Sequence, residues 1–319
     1  GSTSVTATGT VNGTNGTGIR VANSASADNL TITAVDATGG QTGISALNSG
    51  RGATTVTSTG SIVGTTTVGI DARTAGTDIT INAVEVSGGS TGIFTSNTGL
   101  GETSITTTGS VAGTTGTGID SQNSGNSTDL TINAVDVIGG QFGISAWNIG
   151  IGETSVTTSG NITGTNLIGI FTVNGSNSTN TTINAVDVTG GQIGISASND
   201  GTGSTSITST GTVTGTNSTG ILAQAGPTSS GITVTAVNVI GGASGIYSSN
   251  GGTGATTVSV TGAIAGGTGV GIGSATNTGN LTTINLGATS TVGATSGNAI
   301  ANNFGNSIVN VANGAVITG

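Results

Sequence analysis

Isoleucine follows glycine at Ile19, Ile44, Ile70, Ile93, Ile119, Ile144, Ile170, Ile195, Ile221, Ile246 and Ile272, at intervals of 23 to 26 residues, and Ile300 continues the series in the looser form GNAI. A unit of that length, made of short β-branched runs between glycines, is too short and too poor in helix formers for a helical repeat. It suits one turn of a coiled sheet. Two texts alternate along the chain. One is TINAVDVTGGQIGISASN at Thr182 to Asn199, which recurs from Thr31, Thr80, Thr131 and Thr233 at spacings of 49, 51, 51 and 51 residues. The other is TSITTTGSVAGTTGTGI at Thr103 to Ile119, with variants from Thr3 and Thr205. The period is therefore half of 51, with two alternating turn types.

The repeat overrides the length prior of about two domains for 319 residues. Each turn contacts only its neighbours, so one domain over residues 1–319 is expected. With 62 glycines and much Thr, Ser and Asn, the chain has the composition of a flexible tract. Spaced Ile and Val argue for a continuous core instead.

In the first turn type, Val5, Val56, Ile105, Val156, Ile207 and Val258 alternate with small polar residues, as in a strand with one buried face. Four residues later Gly9, Gly60, Gly109, Gly160, Gly211 and Gly262 predict a bend, after which Val11, Ile62, Val111 and their equivalents open a second strand. The third begins at the Gly-Ile pair. In the second turn type the second strand is VDV-like, around Asp36, Glu85, Asp136, Asp187 or Asn238, and Gly-Gly then turns the chain. Two residues after each shared Ile the side chain is mostly small, as at Ala46, Ala72, Ala146 and Ala197, which would let a narrow interior fill without strain. Asparagine recurs four residues after the Ile, at Asn23, Asn48, Asn97, Asn123, Asn148, Asn174, Asn199 and Asn250. This spacing predicts turn support and stacking along the axis. The expected fold is all-β, a right-handed parallel β-helix (β-solenoid) of about 12–13 turns of ~25 residues, since parallel crossovers are overwhelmingly right-handed.

The patterns TTGxVxGTxGxGI and GGxxGIxAxNxG resemble the right-handed β-helix passengers of bacterial autotransporters and related haemagglutinin-like surface adhesins. The resemblance covers nearly the whole chain. It implies a secreted, elongated protein of the bacterial cell surface, a context that fits the absence of cysteine.

The chain has no Cys, His, Lys or Met, which removes the commonest nucleophile and base pairs and imidazole metal sites. Its three arginines, Arg20, Arg51 and Arg73, all lie before residue 74, and its net charge is −9. Without a basic patch it is a poor partner for nucleic acid or anionic membranes, and no stretch approaches the ~20 apolar residues of a spanning helix. The VDV acids recur in every second turn, ~9.6 Å apart at twice the strand spacing. That reads as charge kept apart rather than gathered for catalysis, so neither an enzyme nor a cofactor is expected. The better-placed calcium candidates are Asp71 with Asp78 and Asp120 with Asp129, against the commoner reading of solvated loop acids. A Thr-x-Thr pattern in the first strands, as at Thr55 and Thr57, resembles the ice-binding face of antifreeze solenoids, against plain β-propensity on a wet face.

The aromatic residues cluster near the shared Ile. Phe94, Trp147, Phe171 and Tyr247, together with Leu222, form an expected outward edge for a neighbouring copy or surface glycans. Neither end reads as capped, so Val5 and Val11 of one copy are expected to meet Val309 and Val311 of another, giving a head-to-tail filament. The competing account is a segment of a longer adhesin passenger. The expected function is thus structural and adhesive, ahead of ice binding or a carbohydrate-active enzyme.

Overall fold

In a computed structural model that describes residues 1–319, the chain is all-β, without a helix, and its parallel strands stack as a β-solenoid of about 13 turns of ~25 residues. Two compact units are distinguished, Gly1–Gly160 and Asn161–Gly319, and the same turn recurs in each. A representative turn holds Thr54–Ser58, Ser61–Gly64 and Val68–Thr74. Within each unit strands pair in parallel with their equivalents one turn away, as Val56 against Ile81, Ile62 against Val86 and Ile70 against Ile93 in the first.

Alternation decides which side chains go inside. Thr54–Ser58 buries Thr54, Val56 and Ser58 and leaves Thr55 and Thr57 partly open. The Gly-Ile strands put both the Ile and the small residue two positions on inside: Ile70 and Ala72 in the first unit, and Ile221 and Ala223 in the second, are fully buried. Each buried Ile contributes roughly 1.5–3 kcal/mol. Large beside small lets the two walls close over a narrow interior, as the sequence predicts.

The structure departs from the expected bend between first and second strands. Both segments belong to one sheet, and the Gly-Ile strands form the other. In Thr3–Gly13, Leu30–Gly39, Ser204–Gly215 and Gly231–Gly241 the strand runs straight through the glycine position or its equivalent. The glycine marks a bulge. Ala7 pairs with Ala34, but the next partners are Thr10 and Asp36, so the first turn type carries one residue more than the second. The same slip occurs between Ser209 and Thr212 opposite Ala236 and Asn238.

The bulge explains the VDV acids. The Asp36 carboxylate accepts the backbone N–H of Ser61, the residue after the bulge glycine one turn on, at 2.8 Å. Asp187 does the same for Thr212 at 2.7 Å, and Asn238 for Ala263 at 3.0 Å. An extra residue in one strand leaves a donor without a ladder partner. The side chain of the turn below satisfies it. A Cβ on Gly60 would collide with Oδ1 of Asp36, so only glycine admits the carboxylate.

A second clamp holds the corner between turns. Asn29, Asp78, Asp129 and Asn180 accept the N–H of Ala53, Glu102, Glu153 and Ser204 at 2.9, 3.0, 2.9 and 3.0 Å. The recurring Asn supports the same corner. Asn97 donates to the carbonyls of Thr77, Gly101 and Glu102 at 3.0, 3.1 and 3.2 Å and accepts from Gly99 N at 2.9 Å. Asn48 repeats the pattern on Asp28, Gly52, Ala53 and Gly50. These asparagines spend their amides on backbone groups; the carbonyls of Asp28 and Thr77 lie one turn back, so the amide also ties successive turns together.

Candidate functional site

The outer face of the Gly-Ile sheet gathers most of the chemistry left over from folding. In the first unit the position after each Ile forms a column in register: Arg20, Ser45, Asp71, Phe94, Asp120 and Ser145. Two residues on, a second column runs Ala22, Leu47, Arg73, Ser96, Gln122 and Trp147. Strand pairing sets both columns at ~4.8 Å per turn. Residues 23 to 26 apart in sequence thereby become neighbours.

Asp71 and Arg73 pair across this face. Nε of Arg73 donates to Oδ1 of Asp71 at 2.8 Å and Nη2 to Oδ2 at 3.2 Å, a bidentate fork. The same guanidinium lies over the Phe94 ring, 4.8 Å from its centroid. Arg20, two turns below Asp71, is exposed and makes no ion pair or hydrogen bond through its side chain. Between them sits the buried Ser45. Arg20, Gln41, Ser45, Leu47, Asp71 and Arg73 line a shallow open groove along this face.

Further along the same unit, Trp147 Nε1 donates to Ser145 Oγ at 3.1 Å, Ser145 hydrogen-bonds the Asp120 carboxylate, and Gln122 approaches that carboxylate at 3.4 Å. Burial pushes the Asp120 carboxyl above the usual carboxylate range, and the bonds from Gln122 and Ser145 offset part of that rise.

The expected calcium candidates have other partners. Asp71 is forked by Arg73, Asp120 belongs to the Gln122 and Ser145 network, and Asp78 and Asp129 clamp the N–H groups of the next turn. No group of three or more acidic side chains comes together. A cation would have to compete with these bonds for a carboxylate at a time.

Of the expected aromatic edge, Phe94 and Trp147 lie in the first unit but in different columns, and Trp147 is the more open at 40% exposure. In the second unit Phe171, Leu222 and Tyr247 occupy the post-Ile column, all half-buried, with Leu222 directly beside Tyr247. The Tyr247 ring lies against Gly273, where a Cβ would meet it at 2.7 Å. The Tyr247 ring therefore lies down on the sheet, and the edge there is flatter than alternation alone suggests. The Arg73 fork was not legible in the sequence as a site, although Asp71-x-Arg73 at strand spacing puts both on one face.

The Thr-x-Thr pattern stands in two registered columns, Thr31, Thr55, Thr80, Ser104 and Thr131 beside Thr33, Thr57, Asn82, Thr106 and Asn133. Asn and Ser interrupt both.

Every residue of Asn306–Val311 and Val316–Thr318 is exposed, with Val309 at 40%, Val311 at 50% and Ile317 at 44%. Their in-register partners Ile284, Leu286 and Val292 are 0, 3 and 1% exposed. Val5 and Val11 in Thr3–Gly13 are half-buried against Ile32 and Ala37. No protein-family model, curated protein or solved structure matches this chain.

Proposed function

We propose that this chain is a non-enzymatic, secreted structural and adhesive solenoid of a bacterial cell surface whose copies add head to tail. The reading rests on the ladder itself, in which each turn presents to the next the same apolar columns and parallel backbone rows, as Val56 does to Ile81 and Ile62 to Val86, so that a turn of one copy can extend the ladder of another. Ser307, Val309, Val311 and Ile317 hold in their turn the repeat positions that Thr3, Val5, Ala7 and Val11 hold in theirs. Docked in register, Val309 would meet Val5, Val311 would meet Ala7, and Ile317 would meet Val11. The contact covers apolar side chains that are 40–50% exposed and pairs two rows of free backbone groups, the combination that makes an open sheet edge a template for another chain. Such a contact joins two different surfaces and propagates.

The non-enzymatic half rests on where the carboxylates go. Asp36, Asp78, Asp129 and Asp187 are bound to backbone N–H groups, and Asp71 to Arg73. They hold the turns and stand in no convergent pair.

Electron microscopy and sedimentation of the purified chain test the polymer. Filaments that disappear in Val5→Lys and in Val311→Lys, with the β-sheet circular dichroism retained, are the expected result. A parent protein that stays a monodisperse monomer at high concentration overturns it, and leaves the edges to further turns of a longer passenger.

A further inference from the structure

We propose that the outer face of the Gly-Ile sheet in the first unit binds an acidic oligosaccharide, a chain of uronic-acid sugars, with Arg20 as the carboxylate anchor and the Arg73–Phe94 stack as the platform. This deepens the adhesive half of the reading above by naming a ligand class.

The argument begins with charge. In a chain of net charge −9, the groove sets two guanidinium groups against one carboxylate. Asp71 is already matched by Arg73, so the surplus positive charge falls on Arg20, which no protein group engages. Arg73 is held at both ends, by the Asp71 fork and by the Phe94 ring at 4.8 Å. A guanidinium fixed in this way presents its remaining N–H groups without losing side-chain freedom on binding. The columns place Arg20 and Asp71 two strands apart, ~9.6 Å, with Ser45 between them.

Shape and backbone then narrow the ligand. The groove is an open trough across Ile19–Asn23, Ile44–Asn48, Val68–Thr74 and Thr91–Asn97, and a small molecule would stay mostly in water there. A longer chain lying along it gathers contacts from several turns. A peptide adding as a strand needs free backbone groups, and on this face they are already paired in the ladder. A polyphosphate has no apolar face to lay on the Arg73–Phe94 stack. A uronic-acid chain matches what is offered: a carboxylate for Arg20, hydroxyls for Gln41, Ser45 and the free N–H groups of Arg73, and an apolar ring face for the Arg73–Phe94 platform.

Calorimetry on the full chain tests this with hexagalacturonate and the same hexasaccharide fully methyl-esterified. Binding of the free acid, weaker by about tenfold or more in Arg20→Gln, in the methyl ester and at ~0.5 M NaCl, is the expected result. Phe94→Ser should weaken both sugars. The Arg20 side chain is exposed, so an unchanged melting curve certifies that variant's fold. No binding at millimolar hexasaccharide, equal binding of acid and ester, or wild-type affinity in Arg20→Gln overturns the proposal. Filament formation is read separately, so a polymer that ignores the sugar sinks this inference and spares the structural reading.

Discussion

Asn97 shows how much of this fold hangs on single side chains. It is fully buried, and its amide answers three backbone carbonyls and one N–H at a corner, two of which, the Thr77 carbonyl and the Gly99 N–H, have no backbone partner. Alanine at that position leaves the Thr77 carbonyl and the Gly99 N–H unmet, while the carbonyls of Gly101 and Glu102 keep the N–H groups of Thr128 and Ile79, and each unmet group costs ~1–3 kcal/mol. We expect Asn97→Ala to destabilise the protein by about 3 kcal/mol, read as a lower urea midpoint. Asn97→Asp should not rescue it, since a carboxylate accepts only and three of the four bonds need a donor. The turn at Thr74 shows the substitute that selection allows, with its hydroxyl accepting from Gly76 N at 3.1 Å.

At the scale of the element, the turn pair is the unit that matters, because the second turn type supplies acceptors and the first supplies donors. Glu85 is the exception that tests this. It occupies the Asp36 position, but one methylene longer, and its side chain makes no bond to the bulge above it. Restoring the short acceptor with Glu85→Asp should stabilise by about 0.5–1.5 kcal/mol, measured as a rise in denaturation midpoint, while Glu85→Ala should give no gain. Much of this fold was legible in the sequence. The Gly-Ile period, the alternation and the small residue after each Ile set the turns, the buried columns and the parallel stacking. The bulge was not legible as a bulge, because a glycine between two apolar runs marks a corner and an in-sheet irregularity equally well. The VDV acids read as spaced surface charge, because their partner is a backbone N–H some 25 residues away, in the following turn. In the groove, Asp71 and Arg73 could be set on one face, but the fork and the ring beneath it depend on rotamers that spacing does not determine.

At the scale of the whole molecule, the distribution of arginine makes a simple test. Trypsin has three sites, Arg20, Arg51 and Arg73, and none after residue 73. Arg73 lies within Val68–Thr74, paired on both sides, and Arg20 within Ile19–Asn23, paired on one side with Ile44–Asn48, whereas Arg51 sits in an exposed corner. Limited digestion of the native protein should cut first at Arg51, if at all, and mass spectrometry should find residues 74–319 whole. A nonspecific protease should leave most of the chain intact, since a ladder paired along its length offers few segments that open locally. Rapid, uniform digestion would be irreconcilable with the fold.

The clamp between turns also bears on how such a chain changes length over generations. Donor and acceptor alternate, so losing or gaining one turn sets two turns of the same kind against each other, with an acceptor facing no bulge or a bulge facing no acceptor. Losing or gaining two turns leaves every partnership intact. Near-identical text every 51 residues invites unequal exchange between gene copies, and the hydrogen bond from Ser61 to Asp36 determines which products of that exchange still fold. Inheritance in this molecule proceeds by the pair.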